Sequence, residues 1–273
     1  MKYISLNTHS WMEEKPLQKM KETAEFIMAN DVEMIALQEV NQKIEASISD
    51  KSATFCSLNE QVPIKEDNYA RLLVAYLEEK GFTYYWGWTC SHIGYDIYEE
   101  GSAILSKYPF KAESLLVSPT NDMTDYHTRQ ILLAHFEEFE TPLTIASCHF
   151  SWWSDNQEEG FYYEWQQLLE RIKEEKGQVM LFGDFNAPSH LKNEGYDLVK
   201  ETMTDMFEMA DKKYGSYTVD QTIDGWSDNT EKLRIDFGFV LKPVDVLSYQ
   251  VIFNDITGPI VSDHLGIMIE TAS

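Results

Sequence analysis

Short apolar runs that end in polar or acidic residues recur along the whole chain, and they constrain the fold more than any other feature. Among them are YISLN (3–7), MIALQEV (34–40), SAILS (102–106), ILLAHF (131–136), LTIASCHF (143–150), VMLFGDF (179–185), LRIDFGFV (233–240) and LGIMIE (265–270). Their length and β-branched content predict strands, several of them buried on both faces. Helical spacing lies between some of them, over 16–30 from Pro16 onward, over 68–80 and over 158–176. Strands covered by helices imply a layered α/β architecture. With no repeat or linker in sight, the expectation is one domain over 1–273. The polar stretch 41–67 reads as a long loop, more exposed than the rest.

Six of the strand ends carry chemistry: LNTH (6–9), LQEV (37–40), SCHF (147–150), GDFN (183–186), RIDF (234–237) and SDH (262–264). Strand ends on one side of a sheet converge, so these residues are expected to share a pocket. Carboxylate and amide oxygens suit a hard divalent cation. Such an ion neutralises charge on a phosphoryl group, and two histidines can move protons to and from it. The chemistry this set fits is phosphoryl transfer to water.

The charge narrows the substrate. The chain has 22 Lys and Arg against 46 Asp and Glu, a formal net charge of −24. Nonspecific nucleic-acid binding neutralises phosphates with basic side chains, so the balance argues against a polynucleotide. Cys56, Cys90 and Cys148 cannot all pair and form no CxxC. The N-terminal residues lack the apolar core of a signal peptide and no run approaches a membrane span. The expectation is a cytoplasmic, reduced protein that works away from membranes.

LQEV, GDFN and the terminal SDH, in this order, resemble the signature of the endonuclease/exonuclease/phosphatase family, which includes DNase I. The resemblance runs from Asn7 to His264. It implies a four-layer α/β sandwich of two packed mixed β-sheets flanked by helices, and hydrolysis of a phosphate ester with Mg²⁺ or Mn²⁺. It implies that Glu39 is the principal metal ligand, that Asn7 nearby binds metal or substrate, and that Asp263 adds a ligand or a hydrogen bond. The resemblance also implies that Asp184 and Asn186 orient the nucleophile, hold phosphate or bind a second ion, and that His264 is the general base, oriented by Asp236. His149 marks the two-histidine branch, where it acts as acid on the leaving group or stabilises the phosphate, and Glu100 matches the glutamate that supports it. Arg129 matches a phosphate-contacting arginine. The opening KYISLNTHSWMEE and the HFSWW segment are similar to the maltose 6′-phosphate phosphatases of this family, which implies a sugar-phosphate substrate. A nuclease and a sphingomyelinase-like phosphodiesterase are the alternatives; no exposed hydrophobic hairpin is expected, which disfavours the latter.

Each site residue has a mundane alternative: Glu39 as a cap of a following helix, Asp184 and Asn186 as turn formers, Asp263 and His264 as caps of the last strand. All must hold together to displace the catalytic reading. His92, His135 and His190 are expected at the surface or satisfied in the core; so are His9 and His127, but with more suspicion, because His9 neighbours Asn7 as a substrate contact and His127 neighbours Arg129. Trp11, Trp152, Trp153 and Trp226 are expected on loops around the pocket. For Trp152 and Trp153, sugar contact and plain packing weigh equally. Trp86, Trp88 and Trp165 are expected in the core.

Overall fold

The computed structural model describes residues 1–50, 52–220, 223, 226 and 231–272. Lys51 of the expected loop and the terminal Ser273 lie outside the described residues. The element order is β1 (Lys2–Asn7), α1 (Pro16–Ala29), β2 (Met34–Lys43), α2 (Tyr69–Glu79), β3 (Tyr85–Gly94), β4 (Tyr98–Ser106), β5 (Lys111–Leu116), β6 (Gln130–Phe136), β7 (Leu143–His149), α3 (Gly160–Ile172), β8 (Gln178–Asp184), α4 (Gly195–Lys200), β9 (Thr204–Asp205), α5 (Met206–Met209), β10 (Lys212–Tyr214), β11 (Asp236–Val240), β12 (Val246–Ile252) and β13 (Gly266–Thr271). One sheet has seven strands in the order β10-β12-β13-β1-β2-β4-β3, the other six in the order β5-β6-β7-β8-β11-β9. Both mix parallel and antiparallel pairs: β1 with β2 and β7 with β8 run parallel, β1 with β13 and β8 with β11 antiparallel.

Alternation along the strands explains the layers. In β1, Tyr3 faces the other sheet, where its ring stacks on Phe182 at 5.3 Å, while Ile4 and Leu6 face α1 and α2. Met34 and Ala36 of β2 join Tyr3 in the seam, and Ile35 and Leu37 join the outer helices. The six-stranded sheet presents Leu181, Phe237 and Phe239 to α3 and α4. The result is helix, sheet, sheet, helix, the four-layer sandwich expected from the family resemblance. Polar ties cross the apolar seam, among them one between its central strands: Gln38 Nε2 of β2 donates to Ser147 Oγ of β7 at 2.9 Å, and Ser147 Oγ donates to the Leu37 carbonyl at 2.9 Å. Among the described residues no helix is long and apolar enough to cross a membrane.

Three expectations need correction. The stretch 41–67 is more exposed than the rest, but it is not a loop from its first residue: its start extends β2, and Asn41 and Gln42 are fully buried. Gln42 is satisfied there, donating to the Pro63 carbonyl and accepting from the Lys65 amide and Asn68 Nδ2. The run 233–240 is a named strand only from Asp236, with Leu233 bridging Val219. The hairpin between β3 and β4 exposes Tyr95 and Ile97, so an exposed apolar hairpin does exist.

Candidate active site

The six motifs converge, but not on one sheet. Asn7 and Glu39 and the 262–264 turn belong to the seven-stranded sheet and its loops; His149, Asp184 and Asp236 belong to the six-stranded one. The site lies at one end of the seam between them. On the six-stranded side the alignment is direct. The parallel register sets His149 beside Asp184, and the antiparallel register sets Asp236 on its other side. Gly183 makes this close approach possible, since a Cβ there would meet the Cys148 carbonyl oxygen at 1.9 Å.

On the seven-stranded side the ladder breaks between Leu37 and Val40, and Glu39 takes a φ of 52°. A bulge re-aims a side chain that a regular strand would hold elsewhere. Thr8 holds the bulge by donating Oγ1 to the Gln38 carbonyl at 2.9 Å and its amide to the same oxygen at 3.0 Å. No helix follows, which removes the capping alternative for Glu39. Asn7 joins the two halves: its Nδ2 donates to Glu39 Oε1 at 2.8 Å and to Asp184 Oδ2 at 3.2 Å.

His264 Nδ1 lies 3.0 Å from Asp236 Oδ2, and its Nε2 lies 3.7 Å from Asp184 Oδ2. His149 Nε2 stands on the other side, 3.8 Å from the same oxygen and 3.9 Å from Glu39 Oε1. Their electrostatics diverge. Burial disfavours charge on His264, but Asp236 and Asp184 outweigh it and hold the imidazolium well above its usual range. Burial, reinforced by Arg129, His92 and His264, drives His149 well below. Burial and Asp236 push Asp184 up to about 7, against the pull of His264. Burial, then Glu100 and Asp263, lift Glu39 to about 8. Two histidines with opposite preferences suit acid and base roles.

A cavity of about 270 Å³ opens here. His9, Glu39, Glu100, Arg129, His149, Asp184, Asn186, Asp263 and His264 all line it, as expected. Trp152 lines it too, whereas Trp153 packs edge-on against Tyr162 and the outer core. Trp11 donates Nε1 to the Asn41 and Asp67 carbonyls, and Trp226 donates to Asn186 Oδ1. Of these four indoles, Trp152 is the one on the cavity wall. Trp86, Trp88 and Trp165 are core, as expected. Asn186 is tied down by the Trp226 bond and by donating Nδ2 to the Phe150 carbonyl at 2.9 Å.

Glu100 departs from its expected partner. The register of β3 with β4 sets it opposite His92, whose Nε2 is 3.4 Å away, while His149 has Glu39 and Asp184 as its carboxylate neighbours. His92 is a cavity residue, not a bystander; burial and Arg129 lower it to about 4. The signal was in the sequence, since SHIG ends an apolar strand as the other six motifs do. His9 Nδ1 bonds Glu13 Oε1 at 2.8 Å and lies 3.7 Å from Asp263; against its burial, these two and Glu39 raise it to about 9. His127 is exposed and paired with Asp125, outside this cavity.

The donors fit a divalent cation. Glu39 and Asp263 offer carboxylate oxygens at the cavity, and two groups, His9 with Glu13 and Asp263, and Asp184 with Asp236 and His264, bring potential ligand atoms within 4.8 Å of one another. Oxygen-rich sets select hard ions.

Comparison with known proteins agrees. The model of the Endonuclease/Exonuclease/phosphatase family matches residues 11–264. An endonuclease/exonuclease/phosphatase family protein from Leptotrichia buccalis C-1013-b is 29% identical with a TM-score of 0.86, each chain covered completely. A mannosyl-6-phosphatase from Bacteroides thetaiotaomicron VPI-5482 is 16% identical with a TM-score of 0.64, again over 100% of both chains. TDP2 of D. rerio, complexed with a single-strand DNA product, is 17% identical with a TM-score of 0.63 over 100% of this chain and 99% of that one. Among curated proteins none matches. With its sandwich, its ordered motifs and a family match over nearly its whole length, the chain belongs to the endonuclease/exonuclease/phosphatase family, whose members hydrolyse phosphoesters and generally depend on a divalent metal.

Proposed function

We propose that this chain is a phosphomonoesterase that uses Mg²⁺ or Mn²⁺ to release phosphate from a sugar phosphate such as maltose 6′-phosphate. The observation that carries the reading is the cavity wall. Among the described residues lining it, Arg129 is the only one with a permanent positive charge. One guanidinium and one metal match a phosphomonoester with about two negative charges. They do not match a polynucleotide, which needs a basic track. The mannosyl-6-phosphatase of the same fold supports a small sugar phosphate. The three free cysteines support a cytoplasmic setting.

Glu39 and Asp263 would hold the metal, with Asn7 fixing Glu39. The ion would neutralise charge on the transferring phosphoryl group. Arg129, which lines the same cavity, would take a phosphoryl oxygen. Asp236 fixes His264 with Nε2 toward the cavity, and His149 presents its own Nε2 across Asp184. The two imidazoles start in the opposite protonation states that a donor and an acceptor require. The test is paired: phosphate release from maltose 6′-phosphate and nicking of supercoiled DNA, both with Mg²⁺. Release of sugar-bound phosphate without nicking is expected. Faster nicking than release from any sugar phosphate would overturn the reading in favour of a nuclease.

A further inference from the structure

Trp152 is shared by two cavities. Its indole helps wall the catalytic cavity and also a second one of about 390 Å³, and it is the one residue the two linings have in common. The second cavity is walled by Asp125 and His127 from the loop before β6, by Ser151 and Ser154 after β7, and by Glu164 of α3. Gly160 lets α3 start hard against this loop: it has a φ of 60°, and a Cβ would meet the Trp152 carbonyl oxygen at 2.8 Å. The segment 125–127 serves both sides, with Tyr126 on the catalytic wall and its two neighbours on the other.

The lining has a definite chemistry. Glu164 is buried, and its Oε2 accepts from the Ser151 amide at 2.8 Å. His127 spends Nδ1 on Asp125 at 2.8 Å, so its Nε2 is left for a ligand. Trp152 Nε1 is buried without a partner. Among the described lining residues there is no Lys or Arg, so the cavity does not suit an anion. Carboxylates and hydroxyls beside an indole suit a neutral polyhydroxylated ring, which offers donors at its rim and C–H groups on its face. We propose that this cavity is a second subsite, which holds the unphosphorylated ring of a disaccharide phosphate while the phosphoryl end lies in the catalytic cavity. The inference rests on the sugar-phosphate reading above and adds to it the place of the second ring, beyond Trp152.

Maltose 6′-phosphate and glucose 6-phosphate separate the two cavities, because the monosaccharide lacks the second ring. Two variants probe the subsite: His127→Ala, at an exposed side chain, and Glu164→Gln, which keeps an oxygen for the Ser151 amide. In the presence of a chelator, so that nothing turns over, the wild type should bind the disaccharide phosphate about tenfold more tightly than the monosaccharide phosphate, a gain of the size expected for one or two hydrogen bonds. That gap should close in the variants. With Mg²⁺, KM for the disaccharide phosphate should rise by the same factor at unchanged kcat, with the monosaccharide unaffected. Equal affinities in the wild type, a gap that survives in both variants, or an equal loss for both sugars would each overturn the subsite. A gap that closes in the variants while the wild type hydrolyses neither compound would uphold the subsite and refute the phosphomonoesterase reading. Binding of neither compound would refute both.

Discussion

Two clusters in this molecule are built from the same residue types and behave in opposite ways. At the active site, carboxylates crowd around few fixed cations, and burial with mutual repulsion lifts Glu39 to about 8 and Asp184 to about 7. On the outer side of the six-stranded sheet, Glu113 meets His135 Nε2 at 3.0 Å and both forks of Arg171 at 2.7 and 2.8 Å, while Arg171 also takes Glu175 at 2.7 Å. Hydrogen bonds from His135 and Arg171 draw Glu113 down to about 2. One cluster is compensated by the protein itself and the other is left for something that binds. The difference teaches that uncompensated charge, rather than charge as such, marks the functional site.

The sharpest way to break this comparison is through activity. His264→Ala and Asp236→Asn should each lower kcat by about 10²–10⁴, the range for loss of a positioned proton-transfer group, and the double variant should lose little more than either single one. Arg171→Met, in the compensated cluster, should leave kcat unchanged. Additive losses in the double variant would dissolve the His264–Asp236 unit.

The next effect is thermodynamic. An ion that binds only the folded state at about a hundredfold excess over its Kd adds about 2.7 kcal/mol of stability. Mg²⁺ should therefore raise Tm of the wild type, and Glu39→Gln should abolish the rise. In chelator the same variant should be at least as stable as the wild type, because it removes a carboxyl whose ionisation is opposed by burial and by Glu100 and Asp263. A Glu39→Gln protein that melts lower in chelator and still responds to Mg²⁺ would place the ion elsewhere.

The smallest effect is expected at Glu113. Its side chain is 35% exposed, so screening limits the loss in Glu113→Gln to about 1 kcal/mol or less. The sign follows from the depressed carboxyl. Its contribution is present above the ordinary carboxylate range and disappears as pH falls toward about 2. Melting curves of wild type and variant should run in parallel from pH 7 to about 5 and converge by about pH 2. A gap independent of pH would mean that the side chain packs rather than pairs.

How much of this the sequence shows depends on whether the information is local. Strands such as 34–40 and 179–185 are legible because both faces are buried and the run is apolar throughout. β5, KAESLL, is an edge strand with partly exposed side chains, and its mixed sequence gives no such signal. LQEV, GDFN and SDH are legible as motifs, but the bulge that aims Glu39 is not, because it exists only against the partner strand β4. The same holds for Glu100, whose neighbour is decided by a register shifted between Cys90 and His92. Trp152 and Trp153 are adjacent and chemically identical, and only the path of an irregular loop sends one to the cavity and the other into the core.

The tie between Gln38 and Ser147 acquires its meaning from where the site lies. Hydrocarbon side chains facing each other across a seam can slip by a fraction of a residue at little cost, since dispersion has no preferred direction. A hydrogen-bonded pair in the same surroundings has one energy well, and leaving it strands a polar atom in an apolar layer. Glu39 is carried by the strand of Gln38, and His149 by that of Ser147. The tie therefore works as a caliper, helping to set how far apart the two sheets hold Glu39 and His149. The bond from Asn7 to Asp184 adds a second fixed span close by, so the two sheets meet at this end with a defined offset.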